Sequence, residues 1–207
     1  MDDPKKLSPE SPSDLQEIRK AICEKYAEVS ISAVGKFQYP TGKDGAKALG
    51  YDQTIIESAH ARFFEASCGV GNPFSLGSIR LGDAILDFGC GAGFDLFVAS
   101  KLAGEIGRVR GIDLTEDMVL RARENLTLAG LTNFEIKKVD SETIPYDNHS
   151  FDVVISNGVI NLSPHKETTF AEIYRVLKPG GRLQFADVVL ENELPASLSG
   201  SADAWSQ

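Results

Sequence analysis

Apolar positions along this chain fall into short solid runs that alternate with longer periodic ones. The solid runs lie from Ile85, at Val109–Asp113, Phe134–Val139 and Phe151–Asn157, and from Arg182 to Leu190. Short apolar runs closed by Gly, Asp or Asn predict buried strands. Between them, Phe94–Leu102 reads as a helix. Thr115 opens another, carried by Met118, Leu120, Ala122 and Leu126 and stopped at Gly130, and Phe170–Leu177 is a third. Acids Glu116 and Asp117 in a first turn and a glycine after the last apolar position are helix-end signals. Strands alternating with helices across short turns predict an α/β fold, a doubly wound and mostly parallel sheet of about five strands.

Upstream the pattern changes. Leu15, Ile18, Ile22, Tyr26 and Val29 share one helical face, and Ser13 with Gln16 makes a capping box at the start. An aromatic loop follows at Phe37–Lys43, then a second helix from Gln53 through Phe64. The expected segmentation is a disordered start at 1–12, a helical lid or substrate segment at 13–75, a cofactor-binding core at 76–190 and a tail at 191–207.

The turn after the first strand carries the chemistry. Asp87-Phe88-Gly89-Cys90-Gly91-Ala92-Gly93 has glycines at alternate positions, and a dinucleotide fingerprint would place its third glycine where Phe94 stands. A carboxylate at the mouth of the turn repels a pyrophosphate but attracts a sulfonium and an ammonium. That charge argument favours S-adenosylmethionine over NAD. Asp113 closes the second strand about 20 residues further on, where a carboxylate can take both ribose hydroxyls. Ligands of such sheets sit beyond the carboxyl ends of the strands, where Asp87, Asp113, Asp140 and Asn157 are expected to converge.

With these residues in view, the chain resembles the class I S-adenosylmethionine-dependent methyltransferases, and among them the arsenite methyltransferase branch. The resemblance is carried by Leu86–Asp95, Gly111–Thr115, Ile155–Pro164 and Arg175–Leu183, with Gly71-Asn72-Pro73 upstream. It implies a Rossmann-like fold and a role for each matching position. Asp87 and the backbone of Gly89, Cys90, Gly91 and Gly93 face the methionyl part of the cofactor, and Asp113 the ribose. Met118 packs on the adenine, whose amino group meets Asp140 or the nearby backbone; Leu114 and Ser141 adjoin them. Asn157 floors the site near the reacting methyl group.

The departures are as informative. The branch binds trivalent arsenic through three thiolates, since a soft centre takes soft ligands. Two of those cysteine positions hold Val70 and Gly158 here, and a third lies in a segment beyond the fifth strand; Cys68 is the nearest substitute. The antiparallel hairpin that normally follows the fifth strand is also missing, which leaves that strand as an open edge needing cover. A fragment of a longer protein, cover by the N-terminal segment, and a homodimer through the fifth strand all answer this; the favoured expectation is a truncated relative that dimerises or borrows a neighbour.

A net charge of −9 argues against nucleic acid and anionic membranes as partners. No apolar stretch reaches the length of a membrane span, the acidic start is not a signal peptide, and three cysteines, an odd number, suit a reducing cytoplasm. Cysteines and histidines show no zinc spacing, so no metal is expected. Tyr26, Tyr39, Tyr51 and His60 are the lid's candidate contributions, and His60 and His165 the candidate bases; no catalytic residue is assigned. The expected function is methyl transfer to a small-molecule acceptor. The alternatives are arsenite-type transfer to a soft nucleophile and a non-catalytic cofactor-binding module that needs a partner chain.

Overall fold

The structure, a computed structural model, describes residues 12–189, with side chains from 15 onward. Residues 1–11 of the expected start, the Ser13 side chain and the tail at 191–207 lie outside the described residues, while the fifth strand, expected to reach Leu190, ends at Ala186. In chain order come α1 (Pro12–Ile31), α2 (Gly42–Ala48), α3 (Gln53–Ser58), α4 (Ala61–Glu65) and a short 3₁₀ turn (Pro73–Leu76). Then follow β1 (Ala84–Phe88), α5 (Phe94–Ala103), β2 (Arg108–Asp113), α6 (Glu116–Leu128) and β3 (Phe134–Lys138). The chain continues through β4 (Phe151–Asn157), a 3₁₀ turn (Ile160–Leu162), α7 (Lys166–Val176) and β5 (Leu177–Ala186).

All five strands are parallel, in the order β3-β2-β1-β4-β5. This is the doubly wound Rossmann-like sheet that the alternation predicts. Side chains alternate across a strand, and β1 shows it: Ile85 joins the core under α5 and α6, while Ala84, Leu86 and Phe88 join the one under α7. Every residue of β1 is buried, as expected of a central strand covered on both faces. The order reverses between β1 and β4, so a crevice opens beyond their carboxyl ends.

Four elements differ from the expectation. The helix expected over Gln53–Phe64 is two helices, because Ala59 is extended (ψ 136°) and His60 caps α4, its Nδ1 accepting a hydrogen bond from the Arg62 amide at 3.2 Å. The stretch Gly42–Ala48 is helical although its two glycines and lack of apolar period conceal it. Helix α7 starts at Lys166, ahead of the expected Phe170. The expected turn Lys178–Gly181 is a bulge within β5: pairing passes from Phe151↔Leu177 directly to Val153↔Arg182, so two steps on β4 match five on β5.

Candidate functional site

At the end of β1 the chain turns back under the end of β2. The amides of Gly89 and Cys90 donate to the Ile112 carbonyl at 2.9 and 3.0 Å, and the Gly91 amide donates to the Asp113 carboxylate at 2.8 Å. Gly89 has φ +79°, and a Cβ there would lie 2.4 Å from a methyl of Val159, so backbone alone fits between turn and loop. Gly91, at φ +49°, has nothing within 4 Å of where a Cβ would point; its open side faces the crevice.

Two adjoining cavities occupy that crevice. The smaller, about 70 Å³, lies over the turn and is lined by Tyr51, Asp87, Cys90 and Asp95 among others. The larger, about 140 Å³, runs along β2 and is lined by Asp113, Leu114, Met118, Ser141 and Glu142, with Arg19 and Tyr26 from α1. Cys68, Gly89, Gly91 and Asn157 line both and mark the junction.

Three carboxylates dominate the electrostatics. Asp87 is 2% exposed and accepts no hydrogen bond among the described residues. Burial pushes its carboxyl well above the usual range, and the charges of Asp95 and Asp113 push it further. Asp95, in the first turn of α5, accepts from Tyr51 Oη at 2.7 Å and from Asn157 Nδ2 at 3.0 Å. Burial raises its pKa against those two donors. Asp113 accepts from the amides of Gly91 and Thr115, and burial raises it too. Among the described residues Arg19 is the one basic side chain lining either cavity, and it is paired with Glu142 at 2.8 Å. An uncompensated buried carboxylate is costly, and a bound cation is the natural remedy.

Most of the expected residues meet here. Asp87, Gly89, Cys90, Gly91, Asp113, Leu114, Met118, Ser141 and Asn157 each line at least one cavity, and Met118 is 1% exposed. The sulfur of Cys90 packs against β2, where a Cβ on Gly111 would come within 2.8 Å of it. Gly93 lines neither cavity; it lets α5 approach α6, a Cβ there falling 3.2 Å from that of Ala122. Asp140 also lines neither: its side chain is 87% exposed and ion-paired with Lys138, because the residues after β3 turn it outward and Glu142 inward. Asn157 is committed to the neighbouring loop. Its Oδ1 accepts from the amides of Val70 and Gly71, and its Nδ2 donates to the Gly71 carbonyl at 2.9 Å.

Of the candidate lid residues, Tyr26 and Tyr51 line the cavities, and Tyr39 donates to the Cys68 carbonyl at 2.9 Å. His60 caps α4 and His165 sits at the start of α7; neither lines a cavity. Asp95, Glu142 and Arg19 were not singled out from the sequence. Asp95 carried one signal, an acid in the first turn of the helix that follows the glycines. The three cysteines are free, and burial pushes the Cys68 thiol up to about 12. Val70 and Gly158 face each other: a Cβ at 158 would lie 4.0 Å from that of Val70. No group of three or more His, Cys, Asp or Glu side chains is arranged to hold a metal among the described residues, and none of their helices is long and apolar enough to cross a membrane.

Known proteins resemble this chain. The chain is 34% identical to the arsenite methyltransferase of Halobacterium salinarum over 205 residues, which covers 92% of this chain and 52% of that protein. Against the human arsenite methyltransferase it is 33% identical, covering 94% of this chain and 52% of the relative. It thus spans about half the length of the relatives it matches. The crystal structure of an arsenic(III) S-adenosylmethionine methyltransferase from Chlamydomonas reinhardtii superposes with a TM-score of 0.57 at 34% identity, covering 77% of this chain and 53% of that one. Residues 79–207 match the family model described as a methyltransferase domain, a span that takes in the glycine turn, the three crevice acids and all five strands; the chain belongs to that family.

Proposed function

We propose that the two cavities together bind S-adenosylmethionine and that this chain directs its methyl group to a small-molecule acceptor. The observation carrying this reading is the acid-lined crevice: Asp87, Asp95 and Asp113 surround a site whose one basic lining residue, among those described, is already paired. Such a crevice suits a ligand with a sulfonium and an ammonium and disfavours a pyrophosphate.

Asp87 and the open backbone at Gly91 would hold the methionyl end, with Asp95 close by. Asp113 would take the ribose hydroxyls with the oxygen capacity left beside the hydrogen bonds it accepts from backbone amides. Leu114 and Met118 would wall the base, and Ser141 and Glu142 would stand at its polar edge, in place of the outward-turned Asp140. When bound, the cofactor supplies an electrophilic methyl group on a good leaving group. What remains for the protein is to orient an acceptor and exclude water, for which Tyr26, Cys68 and the Val159 loop enclose the junction.

The arsenite methyltransferase relatives make a soft acceptor the first class to test. Against the arsenite form of the reading, one thiol, Cys68, faces the junction, while Val70 and Gly158 stand where further thiolates are expected. A second copy covering the β5 edge belongs to the same proposal, and sedimentation tests it. The deciding experiment is titration calorimetry with S-adenosylmethionine and S-adenosylhomocysteine, on the unaltered chain and on Asp113→Ala, followed by transfer of a labelled methyl group to candidate acceptors. Saturable binding that Asp113→Ala abolishes supports the reading. A folded chain that binds neither compound overturns it.

A further inference from the structure

We propose that Arg19 is a positioning residue whose ion pair with Glu142 fastens α1 across the larger cavity and sets how fast a ligand leaves it. The inference rests on reading that cavity as the adenosine end of a cofactor site.

Arg19, Ile22 and Tyr26 are spaced by three and four residues, so one face of α1 supplies all three to the cavity wall. The same helix lies along α6, and Cys23 Sγ points to the Leu114 carbonyl at 3.7 Å. A ligand lying against Asp113 and Met118 is therefore closed in on one side by an element that precedes the sheet in sequence. Movement of such a wall away from the core widens the way out for the ligand.

The Arg19–Glu142 pair is the charged tie across that seam. Its 2.8 Å contact joins side chains that are 26% and 9% exposed, so the carboxylate is largely withdrawn from water. The other oxygen of Glu142 faces Ser163 Oγ at 3.4 Å, and Ser163 Oγ shares a hydrogen bond with Thr169 Oγ1 at 2.9 Å. One carboxylate thus gathers α1, the segment after β3 and the segment leading into α7. When α1 lifts, Glu142 loses a cation that it holds in a setting withdrawn from water, which penalises opening more than rupture of an exposed pair does.

The test measures S-adenosylhomocysteine dissociation by stopped flow, and amide hydrogen exchange with and without that compound. Arg19→Gln is expected to speed dissociation by roughly tenfold, the factor that about 1.4 kcal/mol confers. It should also raise exchange across 15–31 while the amides of β1 and β4 keep their protection. The reversed pair, Arg19→Glu with Glu142→Arg, should return both readouts to within about twofold. Unchanged dissociation and unchanged α1 exchange in a folded Arg19→Gln chain overturn the proposal. So does a drop in protection spread evenly over the sheet, which would make the pair a general stabiliser. Should Arg19→Gln fail to fold, Arg19→Lys is used, which keeps the charge without the fork, and an intermediate acceleration is expected. If the unaltered chain does not bind the probe, the cofactor reading fails, and α1 exchange alone then decides whether the pair fastens the helix.

Discussion

Asn157 grips Gly71 from both sides: its side-chain oxygen accepts the Gly71 amide at 3.1 Å, and its side-chain nitrogen donates to the Gly71 carbonyl at 2.9 Å. The end of β4 thereby fixes the Gly71-Asn72-Pro73 turn, and the same amide reaches Asp95 and Tyr51. Asn157→Ala strips partners from several buried groups together. It should cost about 1–3 kcal/mol by denaturant titration and weaken S-adenosylmethionine binding with it. Full stability in Asn157→Ala would show that the turn holds without its clasp.

The crowding of Val159 on Gly89 makes a separate prediction. Gly89→Ala places a methyl group 2.4 Å from Val159 and asks alanine to hold φ +79°. A loss of about 2–4 kcal/mol is expected, combining overpacking with left-handed strain. Adding Val159→Ala removes the two crowding methyl groups but leaves the Cβ at 2.8 Å, so the double mutant should recover part of the overpacking share and none of the backbone share. Strictly additive effects would place the damage elsewhere.

The buried acids set a pH dependence with a definite sign. Asp87, Asp95, Asp113 and Asp187 all titrate above the usual carboxylate range, with burial the leading cause. Groups raised on folding stabilise the ligand-free fold below their unfolded pKa, about 4, and that contribution fades as pH rises through their folded values. Asp152 and Glu172 are held below the usual range, Asp152 by Lys178 and Glu172 by Arg175, and they act oppositely. Their support is lost only as pH falls below about 4. Between neutrality and pH 5 the ligand-free chain should therefore gain melting temperature on acidification, and Asp87→Asn should flatten the gain. Over the same range S-adenosylmethionine should bind more weakly as pH falls, and more steeply so than the uncharged-sulfur product. A parallel decline of both ligands would remove the sulfonium from the argument.

Val70 and Gly158 offer a gain-of-function test. Their Cβ separation of 4.0 Å falls within the range of about 3.5–4.5 Å found for disulfides. Val70→Cys with Gly158→Cys should cross-link under mild oxidation, read by mass, and in reduced form should bind phenylarsine oxide more tightly than the native chain. The positive φ of +72° at 158 sets a stability cost of about 1–3 kcal/mol. Neither cross-link nor gain in arsenical affinity would mean that the two positions do not face each other in solution.

The sheet was legible because its signals are local. The strand from Phe151 to Asn157 coincides with its apolar run, and the helix after the glycines ends one residue past the expected Leu102. The crevice acids at strand tips, Asp87 and Asp113, follow from the same logic. What escaped depends on long-range contact. The inward turn of Glu142 needs an arginine 123 residues away, and Asp95 gains its setting from Tyr51 and Asn157, 44 and 62 residues distant. Asp140 and Glu142 look equivalent along the chain, both acids after a strand, and only packing separates them. Helix α2 is carried by neighbours too: its Gly45 sits so close to Pro40 that a Cβ would fall 2.4 Å from the Pro40 carbonyl oxygen.

The unpartnered carboxylate of Asp87 reaches beyond binding into the life of the polypeptide. A fold that keeps a proton-hungry group in its centre is weakest when nothing positive lies beside it, and a ligand that binds only the folded form holds back unfolding in proportion to its own concentration. Under the proposed reading the charged methyl donor would neutralise that group, and its spent product, which has lost the sulfonium, would do so less completely. Proteases that sample the opened chain would then remove it faster when donor is scarce and product abundant. The quantity of this protein in a cell would follow the donor-to-product ratio, making a single aspartate a gauge of methylation capacity.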